Sequence, residues 1–194
     1  MKTLILVRHA KSSWDNPLIS DHDRPLLEIG KKRTRLVIAK LQEMKVRPDL
    51  IISSSAVRAI ETARYLAKGV NYPVEMIKTS SVYYTASARE LLNEFLDMPD
   101  RFNTIMLVGH NPTMTNLTNK FLSNPIDNLP TTGIVQICFK TDKWDQIHLS
   151  KIESQEVITP KKLNSNHLTH HLGKLLVILF CIFAVRNLLK LTCL

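Results

Sequence analysis

The chain opens on a short, almost unbroken apolar run, Leu4 to Val7, with β-branched members and no polar alternation. Such a run predicts a strand buried on both faces, as in a parallel sheet. Charge returns at Arg8-His9, and a polar loop runs from Lys11 to Arg24, interrupted by Pro17 and closed by Pro25. From Glu28 to Met44 the apolar positions Ile29, Leu36, Val37, Leu41 and Met44 recur at helical spacing, which predicts an amphipathic helix. Asp49 to Ser53 reads as a second buried strand. It feeds a helix from Ala56 to Lys68, with Ala56, Ala59, Ile60, Ala63, Leu66 and Ala67 on one face and Gly69 as its stop.

Further on, Val74 to Ile77 predicts a third strand, and Ser87-Ala88-Arg89-Glu90 has the capping-box pattern that opens a helix through Leu96. Thr104 to Val108 is another buried strand, ending in Gly109-His110. Pro112 sits near the first turn of a helix reaching about Leu122. Ile134 to Lys140 and Trp144 to Ser150 alternate in polarity and predict a terminal antiparallel pair. Strands alternating with helices imply an α/β domain, a mostly parallel sheet between two helical layers.

The pattern changes after Lys162. A polar stretch, Asn164 to His171, precedes an apolar run, Leu175 to Val185, flanked by Lys174 and Arg186. A spanning helix needs about 20 apolar residues, so this run is short. We expect a catalytic domain over residues 1–160. The basic and apolar extension, residues 161–194, stands outside its core and is suited to weak membrane or self-association. His167, His170 and His171 have crude metal-ligand spacing but lack an acidic or cysteine partner.

Charge changes the picture less than its total suggests. The net charge is +9, yet the extension holds five basic residues and no acidic one, which leaves 21 basic against 17 acidic residues in 1–160. No RNA- or DNA-binding signature accompanies it, so nucleic acid is not an expected partner. Cys138, Cys181 and Cys193 lack paired or metal-ligand spacing, which fits a reducing compartment. The N-terminus runs into its first strand without a signal-peptide stretch, so a cytoplasmic location is expected.

Sites in such folds lie at the carboxyl ends of the strands, and Arg8-His9, Arg58 and His110 all fall just beyond a predicted strand end. Singly, each has an ordinary reading: a capped histidine, a helix-surface charge, a turn residue. Together they deliver two guanidinium and two imidazole groups to one sheet edge. A set without clustered carboxylates suits Mg²⁺ or Ca²⁺ poorly, so neither metal nor cofactor is expected. It suits a phosphoryl group well, because guanidinium forks match phosphate oxygens in charge and geometry. The same charges would hold a nearby imidazole neutral and nucleophilic.

Three segments then resemble one family. Leu6-Val7-Arg8-His9-Ala10, the stretch from Ser53 to Ala63, and Val108-Gly109-His110-Asn111-Pro112 are similar to the signature segments of the histidine phosphatase superfamily. The lack of a large insertion, with Asp23-Arg24-Pro25-Leu26, resembles its compact SixA-type branch of phosphohistidine phosphatases. The resemblance covers about residues 1–160 and implies a three-layer, phosphoglycerate mutase-like α/β/α fold. It implies that His9 attacks phosphorus and becomes a phosphohistidine, that Arg8 and Arg58 hold the non-bridging oxygens, and that His110 stabilises the transition state.

The resemblance also implies a substrate: a phosphorylated protein, most simply one bearing phosphohistidine. The alternatives are a small-metabolite phosphoesterase or mutase of the same superfamily and a non-catalytic phosphoprotein-binding module. Departures from the family pattern bear on that choice. Ala10 stands where much of the superfamily has glycine, and Asn16 lies one position late for the family asparagine. Glu90, the nearest match to the mutase acid, is explained by its capping box. Asp21 and Asp23 are read as members of a solvated loop, although either is a conceivable proton source. Thr131-Thr132-Gly133 serves equally well as pocket lining or hairpin entrance.

Overall fold

A computed structural model describes residues 1–165, and Met1–Pro160 form one compact unit. Its centre is a six-stranded sheet in the order β3-β2-β4-β1-β5-β6. Strand β1 (Lys2–Arg8) pairs in parallel with β4 (Thr104–Gly109), which pairs in parallel with β2 (Leu50–Ser54). Edge strand β3 (Lys78–Ser80) is parallel to β2, while β5 (Ile134–Phe139) and β6 (Ile152–Ile158) close the other side antiparallel. The expected α/β fold with a mostly parallel sheet is therefore what the chain adopts.

The strands form because their apolar runs meet helices on both faces. Leu4, Ile5, Leu6 and Val7 are wholly buried, as are Ile105 to Val108. Around the sheet lie α1 (Glu28–Glu43), α2 (Val57–Gly69), the single turn α3 (Val82–Thr85), α4 (Ala88–Leu96) and α5 (Thr113–Asn119). Helix α4 starts with the expected capping box. Ser87 Oγ accepts from the Glu90 amide, and the Glu90 carboxylate accepts from the Ser87 amide at 2.7 Å. Glu90 is thereby spent on the helix end.

The structure corrects several sequence expectations. Val74–Met76 form a turn of 3₁₀ helix after Pro73, and the edge strand lies just beyond, at Lys78–Ser80. That strand pairs on one side only and is largely exposed, so it carries no apolar signal. Trp144 to Ser150 is not a strand either. The Trp144 indole is fully buried and donates to the Phe102 carbonyl at 2.7 Å, which pins a 3₁₀ turn there. The antiparallel partner of β5 is instead Ile152–Ile158. Helix α5 ends at Asn119, short of Leu122.

Gly69 stops α2 as expected, and it has a packing role besides. It is the last residue of α2, and the left-handed conformation falls on Asn71 (φ 58°). A Cβ at Gly69 would stand 2.4 Å from Ile38, so glycine is needed there for the close packing of α1 on α2. Gly30 acts similarly on α1: its missing Cβ lets the Lys11 carbonyl approach, and that carbonyl accepts from the Leu27 amide at 2.9 Å. This contact fixes the chain leaving β1. Among the described residues no helix is long and apolar enough to cross a membrane. The run Leu175 to Val185, the histidines at 167, 170 and 171, and most of the extension lie outside the described residues.

Candidate active site

Adjacent strands bring the expected residues together at one sheet edge. Arg8 closes β1 opposite Gly109 of β4, the His9 amide donates to the Gly109 carbonyl at 3.0 Å, and His110 follows immediately. Arg58 stands in the first turn of α2, directly after β2. The β2-β4-β1 neighbourhood thus converts three separated sequence segments into one cluster. The rings of His9 and His110 lie 4.9 Å apart, and the Nε of Arg58 donates to His9 Nε2 at 3.4 Å.

The tautomer of His9 follows from its neighbours. Nδ1 faces the Ala10 carbonyl at 2.7 Å. A carbonyl oxygen only accepts, so Nδ1 carries the hydrogen and Nε2 is left with its lone pair. The Ala10 amide in turn donates to Thr62 Oγ1 at 3.0 Å, which holds the carbonyl's residue in place. His9 is 8% exposed. Burial first, then the charges of Arg58, Arg8 and Arg24, lower its pKa to about 4, although the Ala10 hydrogen bond works the other way. Burial, with His9 and Arg58 nearby, lowers His110 to about 3. Both rings are neutral at physiological pH.

That neutrality has a sign in the pH dependence of stability. Below its ordinary value near 6.5, His9 takes up a proton more readily in the unfolded chain than in the folded one. Stability present above pH 6.5 should therefore fall as the pH drops towards about 4, by roughly 3 kcal/mol from His9 alone. Denaturant unfolding at neutral and acid pH, on the natural chain and on His9→Asn, checks this. The variant should lose visibly less stability on acidification, and an identical loss would contradict a buried neutral His9.

Arg8 donates from one terminal nitrogen to the Leu129 carbonyl at 2.8 Å and to Asn128 Oδ1 at 3.2 Å. His110 Nε2 lies 2.8 Å from Ser54 Oγ. The Thr131-Thr132-Gly133 turn packs on the backbone of Arg8 and His9, for the Thr132 amide donates to their carbonyls at 3.1 and 3.2 Å. Thr132 does so in a left-handed conformation (φ 64°), which a β-branched residue rarely adopts. Buried side-chain nitrogen and oxygen atoms without a hydrogen-bond partner are few among the described residues. Arg8 Nε, Arg24 Nε, His110 Nδ1 and Thr132 Oγ1 account for all but Gln136 Oε1. Unmet polar capacity is thus concentrated around this cluster.

Sequence reasoning missed the part played by the Lys11–Arg24 loop. Asp21 is not merely solvated. Its carboxylate accepts from Arg58 Nη2 and pairs with Arg24 Nη2, each at 2.9 Å, and accepts from the Tyr84 hydroxyl at 2.7 Å. The Asp21 carbonyl accepts from Arg58 Nη1 as well. Burial alone would raise the Asp21 pKa, but the Tyr84 hydroxyl and the Arg58 and Arg24 charges hold it below the ordinary carboxylate range. Asp21 is consequently an ion-pair member. Asp23 does behave as expected, exposed and bonded to Ser20 Oγ at 2.7 Å. The signal available in the sequence was the close spacing of Asp21 and Arg24, but nothing in it tied that pair to Arg58. Among the described residues no group of acidic, histidine or cysteine side chains is arranged to hold a metal ion.

Several known proteins are similar to this chain. The family model described as "Histidine phosphatase superfamily (branch 1)" matches residues 4–79, a stretch that includes Arg8, His9 and Arg58. An uncharacterised chloroplastic protein of Arabidopsis thaliana is 33% identical over 120 residues, covering 57% of this chain and 54% of its own. The chain thus spans about half the length of that relative. An uncharacterised Mycobacterium tuberculosis protein is 31% identical over 138 residues, covering 66% of this chain and 84% of its own. Among solved structures, a protein of Agrobacterium tumefaciens assigned as a phosphohistidine phosphatase, SixA, superposes with a TM-score of 0.67. It is 25% identical, and the match covers 80% of this chain and 97% of that one.

Proposed function

Because the chain belongs to the histidine phosphatase superfamily (branch 1), we propose that it is a phosphatase working through a phosphohistidine on His9, with phosphohistidine on a protein as its preferred substrate. The observation that carries this reading is the orientation of His9: Nδ1–H is held by the Ala10 carbonyl, so the bare Nε2 faces the Arg58 guanidinium. In the first step Nε2 forms a bond to phosphorus as the P–N bond to the substrate imidazole breaks; that ring carries a proton from solvent on its other nitrogen and so leaves as neutral imidazole. In the second step a water oxygen bonds to phosphorus as the P–Nε2 bond breaks. Inorganic phosphate leaves and His9 returns to its neutral form.

Arg8, Arg58 and His110 would hold the non-bridging oxygens through both steps. Transfer of this kind depends on positioning and charge neutralisation. The preference for a nitrogen leaving group rests on what the acids near the site are doing. Glu90 is used by the α4 cap and Asp21 by two arginines. An alkoxide approaches the basicity of hydroxide, whose conjugate acid has a pKa of about 15.7, and needs a proton donor. A phosphohistidine ring, whose other nitrogen takes a proton from solvent with a pKa near 6.5, leaves as neutral imidazole and needs far less help from the protein.

Likeness to the Agrobacterium SixA structure supports the same choice. The test is a parallel assay on a phosphohistidine protein, a phosphoramidate and several sugar phosphates. The N–P substrates should lead by at least about tenfold in kcat/KM. Efficient turnover of a sugar phosphate would favour the small-metabolite reading instead.

A further inference from the structure

Asp21 has a place in the cluster that the phosphatase reading does not require. It carries the only carboxylate that, among the described residues, touches Arg58, and its two oxygens are shared between two arginines. The Arg58 side chain is 5% exposed and that of Arg24 is 9%, whereas Asp21 is 43% exposed. The carboxylate therefore sits on the outer side of both guanidinium groups. Arg24 is further fixed by stacking on the Trp14 ring, 3.4 Å from its centroid, and by donating to the Ser13 carbonyl at 3.2 Å. Tyr84, which meets the His110 ring edge-on at 5.3 Å, holds the carboxylate from the other side.

We infer that Asp21 is a positioning and specificity-determining residue, whose bridging carboxylate fixes the spacing of Arg24 and Arg58 and sets the charge of the pocket. With both imidazoles neutral, the charges of Arg8, Arg24 and Arg58 less that of Asp21 leave a net of two positive. A phosphoryl group carries about −1.5 to −2 at neutral pH. The pocket would then match a phosphate dianion, binding it firmly without an excess of positive charge that would retain the product. The inference rests on the phosphatase reading for the identity of the anion.

Asparagine at position 21 changes both properties. Its amide oxygen can accept from one arginine, but its NH₂ then faces the other, and the negative charge is gone. Titration calorimetry of the full chain with tungstate, a tetrahedral dianion, and with perrhenate, a monoanion of similar shape, reads the charge directly. Asp21→Asn should bind tungstate roughly tenfold more tightly and perrhenate only about threefold, because the Coulomb gain scales with ligand charge. With a phosphohistidine protein as substrate, kcat should fall about tenfold or more while KM does not rise. Tyr84→Phe keeps the charge and loosens the carboxylate, so it should lower kcat several-fold and leave tungstate affinity unchanged.

Equal or weaker binding of both anions by Asp21→Asn, with tungstate binding intact in the natural chain, would overturn the inference and leave the phosphatase reading standing. Should Asp21→Asn not fold, an unchanged kcat in Tyr84→Phe overturns it on its own. Failure of the natural chain to bind tungstate at all would overturn the phosphatase reading, and the inference with it.

Discussion

Replacing His9 by alanine should leave a folded protein that hydrolyses its substrate no faster than solvent does. The expectation follows from the placement of the neighbouring imidazole, which is not free to take over. His110 lies beside His9, but its Nε2 is hydrogen-bonded to Ser54 Oγ and its Nδ1 is buried. The fold should survive, because the His9 side chain makes two hydrogen bonds at the sheet edge, to the Ala10 carbonyl and from Arg58 Nε, and the apolar core lies elsewhere. Circular dichroism and a melting curve establish the fold, and a phosphate-release assay reads the activity. Since the site's one bridging carboxylate is tied to two arginines, treatment of the natural chain with EDTA should change nothing. Residual turnover within tenfold of the natural rate would remove His9 from the mechanism.

The second large effect is expected at Arg58. Removing a preorganised donor to a developing oxyanion typically costs about 10²–10³ in kcat, and Arg58→Ala removes several donors at once. The guanidinium reaches His9 with Nε and Asp21 with both terminal nitrogens. A lysine ammonium cannot span those partners, so Arg58→Lys should recover little of the loss. His110→Ala should fall in the same range of about 10²–10³, with KM changed much less than kcat. The measurement is steady-state kinetics on purified variants of confirmed fold. A loss below threefold at either position would exclude that residue from the oxyanion site.

How much of this was legible in the sequence depended on the kind of signal. Buried parallel strands announce themselves as apolar runs, so β1, β2 and β4 fell where expected, and the residues closing or just following β1 and β4 reached the sheet edge with them. The capping box placed α4, since that signature is local. Edge strands carry no such signal. Lys78–Ser80 is too short and too exposed, and β6 alternates too weakly to compete with the aromatic Trp144 as a predictor. Trp144 misled because an indole buried by a turn resembles, in one dimension, an indole buried by a strand.

The site was legible where one strand end carried one functional residue. It was illegible where function arose from a loop folding back. Asp21 is 37 residues from Arg58 in the chain, and its pairing is made only when the loop folds back onto the first turn of α2. Arg24 and Tyr84 join through the same carboxylate. None of these residues sits at a spacing that periodicity or motif reading would connect. The Asp21–Arg58 contact is a product of packing.

The central claim is that the phosphoryl group passes through His9. The most direct measurement is rapid quench of the full chain with a ³²P-labelled phosphohistidine protein, followed by mapping of the labelled peptide. The account predicts an acid-labile, alkali-stable label on the peptide containing His9, formed within one turnover and absent in His9→Ala. A label on another residue, or full turnover by the natural chain with no trapped phosphoenzyme and no loss of activity in His9→Ala, would contradict it.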